Sequence, residues 1–254
     1  MKKLLLAFMI LTFVIGCKSK EKEAVVEEET VTEKVKVTEV AASGATNNDD
    51  WIILFDGTNY NSWRGYNTDE MYSEWTIEDG TMAFTPGEEG GKNIITKEKF
   101  KNFVLSLEWK ISPKGNSGIF WGVHEDEKFG EAYQTGPEIQ VLDNAEHPDS
   151  FVAEGTHKAG SLYDIIKCPP ELVNPAGEWN HVLLEINYDN NLGKLQMNGK
   201  EAFTFPLYGE GWDKMIENSK FKGWEGFGEY HEGHIGLQDH SDKVWYRNIK
   251  VRKI

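Results

Sequence analysis

Beyond residue 50 the sequence predicts an all-β fold, a two-sheet antiparallel sandwich with few short helices. Three observations carry this expectation. Short runs rich in β-branched and aromatic residues are interrupted by Gly, Asn, Asp or Pro roughly every 8 to 12 residues, the rhythm of a sandwich or barrel. The longest run, Phe103 to Ile111, places apolar side chains at every odd position and, after Val104, polar ones between them, as a strand with one buried face does. The pair Asn198-Gly199 lies between two such runs and supplies the positive φ angles that a two-residue hairpin turn demands.

The remaining elements follow in order. Ser117 to Val123 and Pro137 to Leu142 read as strands, as do Trp179 to Tyr188, Lys194 to Asn198 and Lys200 to Phe205. Gly233 to Gln238 and Lys243 to Arg252 close the pattern. One helix is predicted around Trp212 to Ser219, inside a Gly- and aromatic-rich insertion from Pro206 to Glu232. Neither a dinucleotide-binding nor a P-loop glycine pattern occurs, and no repeat period is evident, so nucleotide-dependent chemistry has no support.

The amino terminus reads differently. Lys2 and Lys3 precede an apolar stretch, Leu4 to Ile15, too short to span a bilayer. Val14-Ile15-Gly16-Cys17 then resembles the lipobox of bacterial lipoproteins, which implies lipidation at Cys17; a secreted protein cut elsewhere is the alternative. Residues 1–17 are thus expected to be a lipoprotein signal peptide and 18–50 a disordered charged tether, rich in Glu, Lys, Val and Thr. A flexible leash of that length would span roughly 30 Å. The expected location is the bacterial cell envelope, with membrane attachment through the lipid anchor alone. Residues 51–254 form the folded domain.

Composition bounds the function. The net charge of −15 excludes electrostatic binding of nucleic acid. All nine tryptophans lie at or beyond Trp51, which gives ample apolar surface for one core. Apart from Cys17 the chain carries a single cysteine, Cys168, so no intramolecular disulfide forms once Cys17 is lipidated. In Lys167-Cys168-Pro169-Pro170 that residue reads as packing rather than as a nucleophile.

Candidate site residues come from strand parity. In Pro137 to Leu142, Ile139 and Val141 point one way while Glu138 and Gln140 share the other face. In Gly233 to His240, Ile235 and Leu237 oppose His234 and Gln238, and His240 continues that polar row. Asn116, in a Gly-Asn-Ser-Gly turn, presents an amide near the same cleft. Arg247 shares parity with Trp245, Ile249 and Val251, an arginine among apolar neighbours. His157 and Tyr163, in a loop leading to a strand, can deliver a base, an acid or a phenolic hydrogen bond. Metal ligation is left unassigned: Asp143-Asn-Ala-Glu146 with His147 suits either a divalent ion or an Asx-type turn, and no zinc-protease or serine-hydrolase motif is present. The sequence requires no cofactor, a divalent metal ion remaining open.

These residues also carry a resemblance. Leu54-Phe55-Asp56-Gly57-Thr58 with Trp63, Trp75 to Gly80, Phe103 to Trp109, Gly115 to Ile119, Pro137 to Gln140, Gly177 to Asn180, Gly236 to Gln238 and Arg247 to Ile249 resemble, in order, the 3-keto-disaccharide hydrolase family. The resemblance spans about Trp51 to Ile254. It implies a concanavalin-like, jelly-roll sandwich, and a carbohydrate substrate, disaccharide or glycoside. Carried over by position, it puts Glu138, Asn116, Gln238 and Arg247 in the cleft. The implied chemistry cleaves a glycosidic bond beside a C3 ketone, by removal of the C2 proton and elimination. Glu138 or a histidine is then the base, Arg247 or a divalent ion the enolate stabiliser, and His240 or Tyr163 the acid, while Asn116, Gln140, His157 and Gln238 hold the sugar. The main competing expectation is a non-catalytic, lectin-like carbohydrate-binding module on a leash, and a third is a surface structural or adhesive protein with no small ligand.

Overall fold

The structure, a computed structural model, describes residues 50–87 and 90–254. The expected signal peptide, the lipidation site Cys17 and nearly all of the tether lie outside the described residues. The described chain is built of two antiparallel sheets. The larger contains β1 (Ile52–Phe55), β3 (Trp75–Glu78), β4 (Thr81–Phe84), β6 (Phe103–Ile111), β9 (Asn180–Asn187), β10 (Leu192–Met197), β11 (Lys200–Phe205) and β13 (Val244–Lys253). Its order is β11-β10-β9-β6-β13-β4-β3, and β1 joins it through β13. The smaller contains β2 (Trp63–Gly65), β5 (Ile94–Thr96), β7 (Asn116–Val123), β8 (Glu138–Leu142) and β12 (His234–Leu237), ordered β2-β5-β12-β7-β8. One α-helix, α1 (Glu210–Glu217), lies in the insertion.

Sequence pattern accounts for the layering. Along β9 buried and half-buried residues alternate strictly, because one face packs inward and the other meets water. The hairpin β10–β11 turns at Asn198 (φ 50) and Gly199 (φ 80), both left-handed as the turn requires. Between the sheets lie Trp109, Leu105, Leu107, Ile119, Trp121, Ile139, Val141, Leu184 and Tyr246, all essentially without solvent contact.

β7, β8 and β12 differ from β9 in being buried at every position. Their inward residues fill the sandwich; their outward residues lie beneath the long loops and the insertion. A small apolar cluster of Tyr66, Ile95, Phe120, Val123 and Ala132 seals one end of that outer face. The other end is polar and holds the cavity described below.

A buried polar connection crosses the core beneath the cavity. The Tyr246 hydroxyl of β13 lies 2.7 Å from Ser117 Oγ of β7, and Ser117 Oγ donates to the Gln238 carbonyl at 2.6 Å. Satisfied buried hydroxyls of this kind fix relative position as well as contributing energy.

Strand parity fails within β13. Val244 and Tyr246 of β13 are buried, yet so are Ile249 and Val251, an odd step apart. Asn248 adopts φ 53, and the register to β6 slips between Arg247 and Lys250. This bulge inserts one residue and exchanges the faces beyond it.

Candidate active site

A cavity of about 370 Å³ opens on the outer face of the smaller sheet, at the lower end of the roughly 300–1,000 Å³ typical of ligand pockets. Its polar side is assembled from three places. β8 supplies Glu138 and Gln140, the start of β7 supplies Asn116, and the turn after β12 supplies Gln238 and His240.

Glu138 points away from Ile139 and Val141, as the alternation of a regular strand dictates. Room for its carboxylate comes from Gly118 on the neighbouring strand: a Cβ there would lie 2.1 Å from Glu138 Oε1. The side chain is buried and accepts no hydrogen bond among the described residues. Burial pushes its pKa up to about 8, opposed by the positive charge of Lys220 and reinforced by Asp149.

Next to it, the amides are left incomplete. Gln238 Oε1 and Asn116 Oδ1 are buried acceptors without a donor among the described residues, although Gln238 is anchored through its backbone N–H to Gly118 O at 3.0 Å. Unpaired buried acceptors are uncommon, and here they face a cavity. The Asn116 amide nitrogen lies 3.3 Å from His240 Nε2, and His240 Nδ1 lies 3.8 Å from Asp242 Oδ2. His240 (φ 36) and Ser241 (φ 59) are consecutive left-handed residues, a strained pair of the sort that collects at functional sites.

Tyr163 arrives by edge pairing. Segment 160–163 runs along the open edge of β8, with Gly160 N–H donating to Gln140 O, Gln140 N–H to Ser161 O and Tyr163 N–H to Glu138 O, at 2.8, 3.0 and 3.0 Å. The Tyr163 hydroxyl donates to Asp149 Oδ2 at 2.8 Å. Burial and that bond both push the phenol well above its ordinary pKa. Behind it, His157 Nδ1 lies 2.8 Å from Asp149 Oδ1 and Nε2 lies 2.6 Å from Asp164 Oδ1. Burial would raise the Asp149 pKa, yet its bonds to His157 and Tyr163 hold it below the usual carboxylate value.

Two of the residues proposed from sequence stand elsewhere. His157 does not line the cavity; it buttresses Tyr163 from behind, its ring centre 4.3 Å away, because both ring nitrogens are engaged by carboxylates. Arg247 is on the far surface of the larger sheet, ion-paired with Glu108 at 2.6 Å and stacked 3.9 Å over Trp179. The Asn248 bulge separates it in parity from Ile249 and Val251, so these two neighbours in sequence do not share its face. Arg247→Ala is therefore expected to leave turnover unchanged and to cost no more than about 1 kcal/mol of stability, as exposed ion pairs do; paired assays of rate and melting temperature check this.

Lys220 is the residue that sequence reasoning missed. It is the one Lys or Arg among the described residues that line the cavity. Its ammonium sits 4.0 Å over the Tyr163 ring and 5.3 Å from the centre of Phe221, and it forms no ion pair among the described residues. The Lys220 N–H donates to Asp164 Oδ2 at 2.6 Å, which ties the insertion to the loop carrying Tyr163. The only sequence signal was a lysine within an aromatic-rich loop.

Among the described residues no group of three His, Cys, Asp or Glu is arranged to hold a metal ion. The Asp143 to His147 segment does not fit one: Asp143 Oδ1 accepts from Ala145 N–H at 3.0 Å and Oδ2 from Lys114 N–H at 2.8 Å, while His147 Nδ1 accepts from Asp149 N–H at 3.1 Å. Its donors are committed to turns. Cys168 is buried, and burial pushes its thiol up to about 12, consistent with a packing residue.

A family model for the 3-keto-alpha-glucoside-1,2-lyase-like domain matches residues 50–252. The chain belongs to this family. A 3-keto-disaccharide hydrolase of Bacteroides thetaiotaomicron is 40% identical over 230 residues, covering 80% of this chain and 78% of that protein. Among solved structures, a Parabacteroides distasonis protein with a provisional assignment as a glycosyl hydrolase superposes with a TM-score of 0.73 at 27% identity, covering 81% of this chain and 94% of that one. A second from the same organism, with the same provisional assignment, gives 0.62 at 25% identity, covering 80% and 99%. The expected all-β sandwich is thus the fold of the family, and the lyase-like domain stands among glycoside-cleaving enzymes.

Proposed function

We propose that the lyase-like domain cleaves 3-keto-glycosides by elimination. The observation that carries this reading is a buried carboxylate, Glu138, without a hydrogen-bond partner among the described residues, in a cavity that also holds an ammonium, Lys220, without an ion pair among them. A ketone at C3 acidifies the C2 proton, and such chemistry needs a base, a positive group for the enolate oxygen and an acid for the departing oxygen. Glu138 takes the C2 proton; the pair of electrons moves onto the C3 oxygen, where Lys220 stabilises it. Collapse of the enolate forms the C1–C2 double bond and breaks the bond from C1 to the glycosidic oxygen, which His240 protonates. Water then adds across the double bond where hydrolysis is the net result.

The orphaned acceptors Gln238 Oε1 and Asn116 Oδ1 suit a polyol, whose hydroxyls donate to them. Gln140 lies beside them. Tyr163, its own proton directed to Asp149, serves as a wall and a support for Lys220 rather than as the acid. A cavity holding Glu138, Lys220 and His240 favours catalysis over the lectin-like alternative, for which amides and aromatic rings alone would suffice. An inverting or retaining hydrolysis of the ordinary kind needs a second carboxylate facing the first, and no other Asp or Glu is among the described residues lining the cavity.

The test is incubation of the purified protein with an aryl 3-keto-glucoside and with its unoxidised parent. Release of phenol from the keto compound alone is expected; equal release from both would overturn the elimination route. Location in the cell envelope through lipid at Cys17 belongs to the same proposal. Radiolabelled palmitate should enter the full-length protein and not its Cys17→Ser variant, and equal labelling of the two would remove the anchor from the account.

A further inference from the structure

The elimination consumes only the sugar that carries C1 to C3, so the other half of the substrate needs a place of its own. Facing the polar side of the cavity is an aromatic wall of Tyr133, Phe221, Trp224 and Phe227. Two of these rings, Tyr133 and Trp224, each remain 38% exposed, with centres 6.3 Å apart and planes at 50°. Trp224 also borders two adjoining clefts, one beside Tyr208 and His231 and one beside Lys128 and Gln134. The aromatic surface therefore runs outward from the reacting end rather than closing over it.

The Trp224 ring is held in place. Phe221 and Phe227 stack at 3.8 Å and 10°, and Trp224 stands edge-on to both, at 5.3 Å and 90° and at 6.3 Å and 86°. The Trp224 backbone N–H donates to Phe221 O at 2.9 Å, closing a turn beneath the ring. Gly228, at φ +69, passes so close to Trp212 that a Cβ would lie 2.6 Å from that ring. A tryptophan half in water on so constrained a loop is pre-organised for contact, since little freedom is left to lose on binding.

We propose that Trp224, with Tyr133 beside it, forms the leaving-group subsite, and that it takes leaving groups with a flat apolar face, whether a second sugar ring or a phenol. This inference rests on the elimination reading for its position relative to C1. Three 3-keto-glucosides test it: one releasing methanol, one releasing 4-nitrophenol and one releasing glucose. Trp224→Ala should lower kcat/KM by about 10- to 100-fold on a ring-bearing substrate, the scale of a central aromatic contact, and leave the methyl glycoside unchanged, while Trp224→Phe retains most of the rate. A loss confined to the phenol or to the disaccharide arm identifies which source the subsite serves. Equal loss on all three substrates, or on none, would overturn the subsite.

If the wild-type protein turned over none of them, the elimination reading would fall. The subsite would then be judged by calorimetric titration of 4-nitrophenyl α-glucoside, trehalose and methyl α-glucoside into the wild-type protein and Trp224→Ala. Tighter binding of a ring-bearing ligand that disappears in the variant supports it, and any other pattern removes it.

Discussion

Glu138→Gln should lower turnover on the order of 10²-fold or more, the contribution expected of a positioned general base, while the fold survives. The same substitution has a signed effect on stability. The Glu138 pKa rises from 4.5 to about 8 on burial, so between those values the folded protein retains a proton that the unfolded chain has released. Stability attributable to this group is complete below about pH 4.5 and is lost as pH rises through 8. Glutamine does not titrate. The variant should therefore melt close to the wild-type temperature at pH 4 and above it at pH 9. In the wild-type enzyme kcat/KM should climb with pH through about 8 as the base ionises, and the residual activity of the variant should lack that limb. Near-normal turnover, or a variant that melts lower at pH 9, would show that Glu138 is a structural carboxylate with a partner. Arg247 is not that partner: it pairs with Glu108 on the other sheet.

Lys220→Met is expected to lower kcat by about 10²- to 10³-fold, the cost of deleting one preorganised donor to a developing oxyanion. Melting temperature should scarcely change, because the ammonium has no ion pair among the described residues. Lys220→Arg, which keeps the charge, should recover part of the rate. With substrate deuterated at C2, the isotope effect on kcat/KM should grow in Lys220→Met, since the variant makes proton removal slower relative to binding. Wild-type turnover in Lys220→Met would take the residue out of the chemistry and leave the enolate without a stabiliser on this chain.

How much of this was legible in sequence depends on how local the cause was. β6 and the β10–β11 hairpin were readable because alternation and the Asn198-Gly199 turn are properties of adjacent residues. The same holds for Glu138, whose direction follows from a strand without irregularity. Arg247 misled because a single left-handed residue, Asn248, reverses the faces beyond it, and asparagine at that point leaves no distinctive mark in the pattern. His157 was found as a chemically capable residue, yet what occupies it is Asp149 and Asp164, brought in by irregular loops with no period to read. Lys220 lay beyond reach altogether. Its place is set by contacts with Tyr163 and Asp164, more than fifty positions earlier, across a segment whose shape depends on glycines and stacked rings. The amides Asn116 and Gln238 fall between these cases: each was nameable from its strand, while their lack of donors emerges only when the strands are side by side.

The hydroxyl link from Tyr246 through Ser117 to the Gln238 carbonyl bears on how the cavity can breathe. Local opening in proteins follows cooperative units, and segments joined through buried, satisfied bonds exchange their amide protons only when the whole unit unfolds. Ser117 and Gln238 are joined in this way to β13 of the larger sheet, so the floor beneath the substrate is expected to belong to the slowest-exchanging part of the molecule. Exchange at Ser117 and Gln238 is thus expected to report unfolding of the whole unit rather than opening of the cavity, and a substrate meets the acceptors of that floor at a spacing set before it arrives.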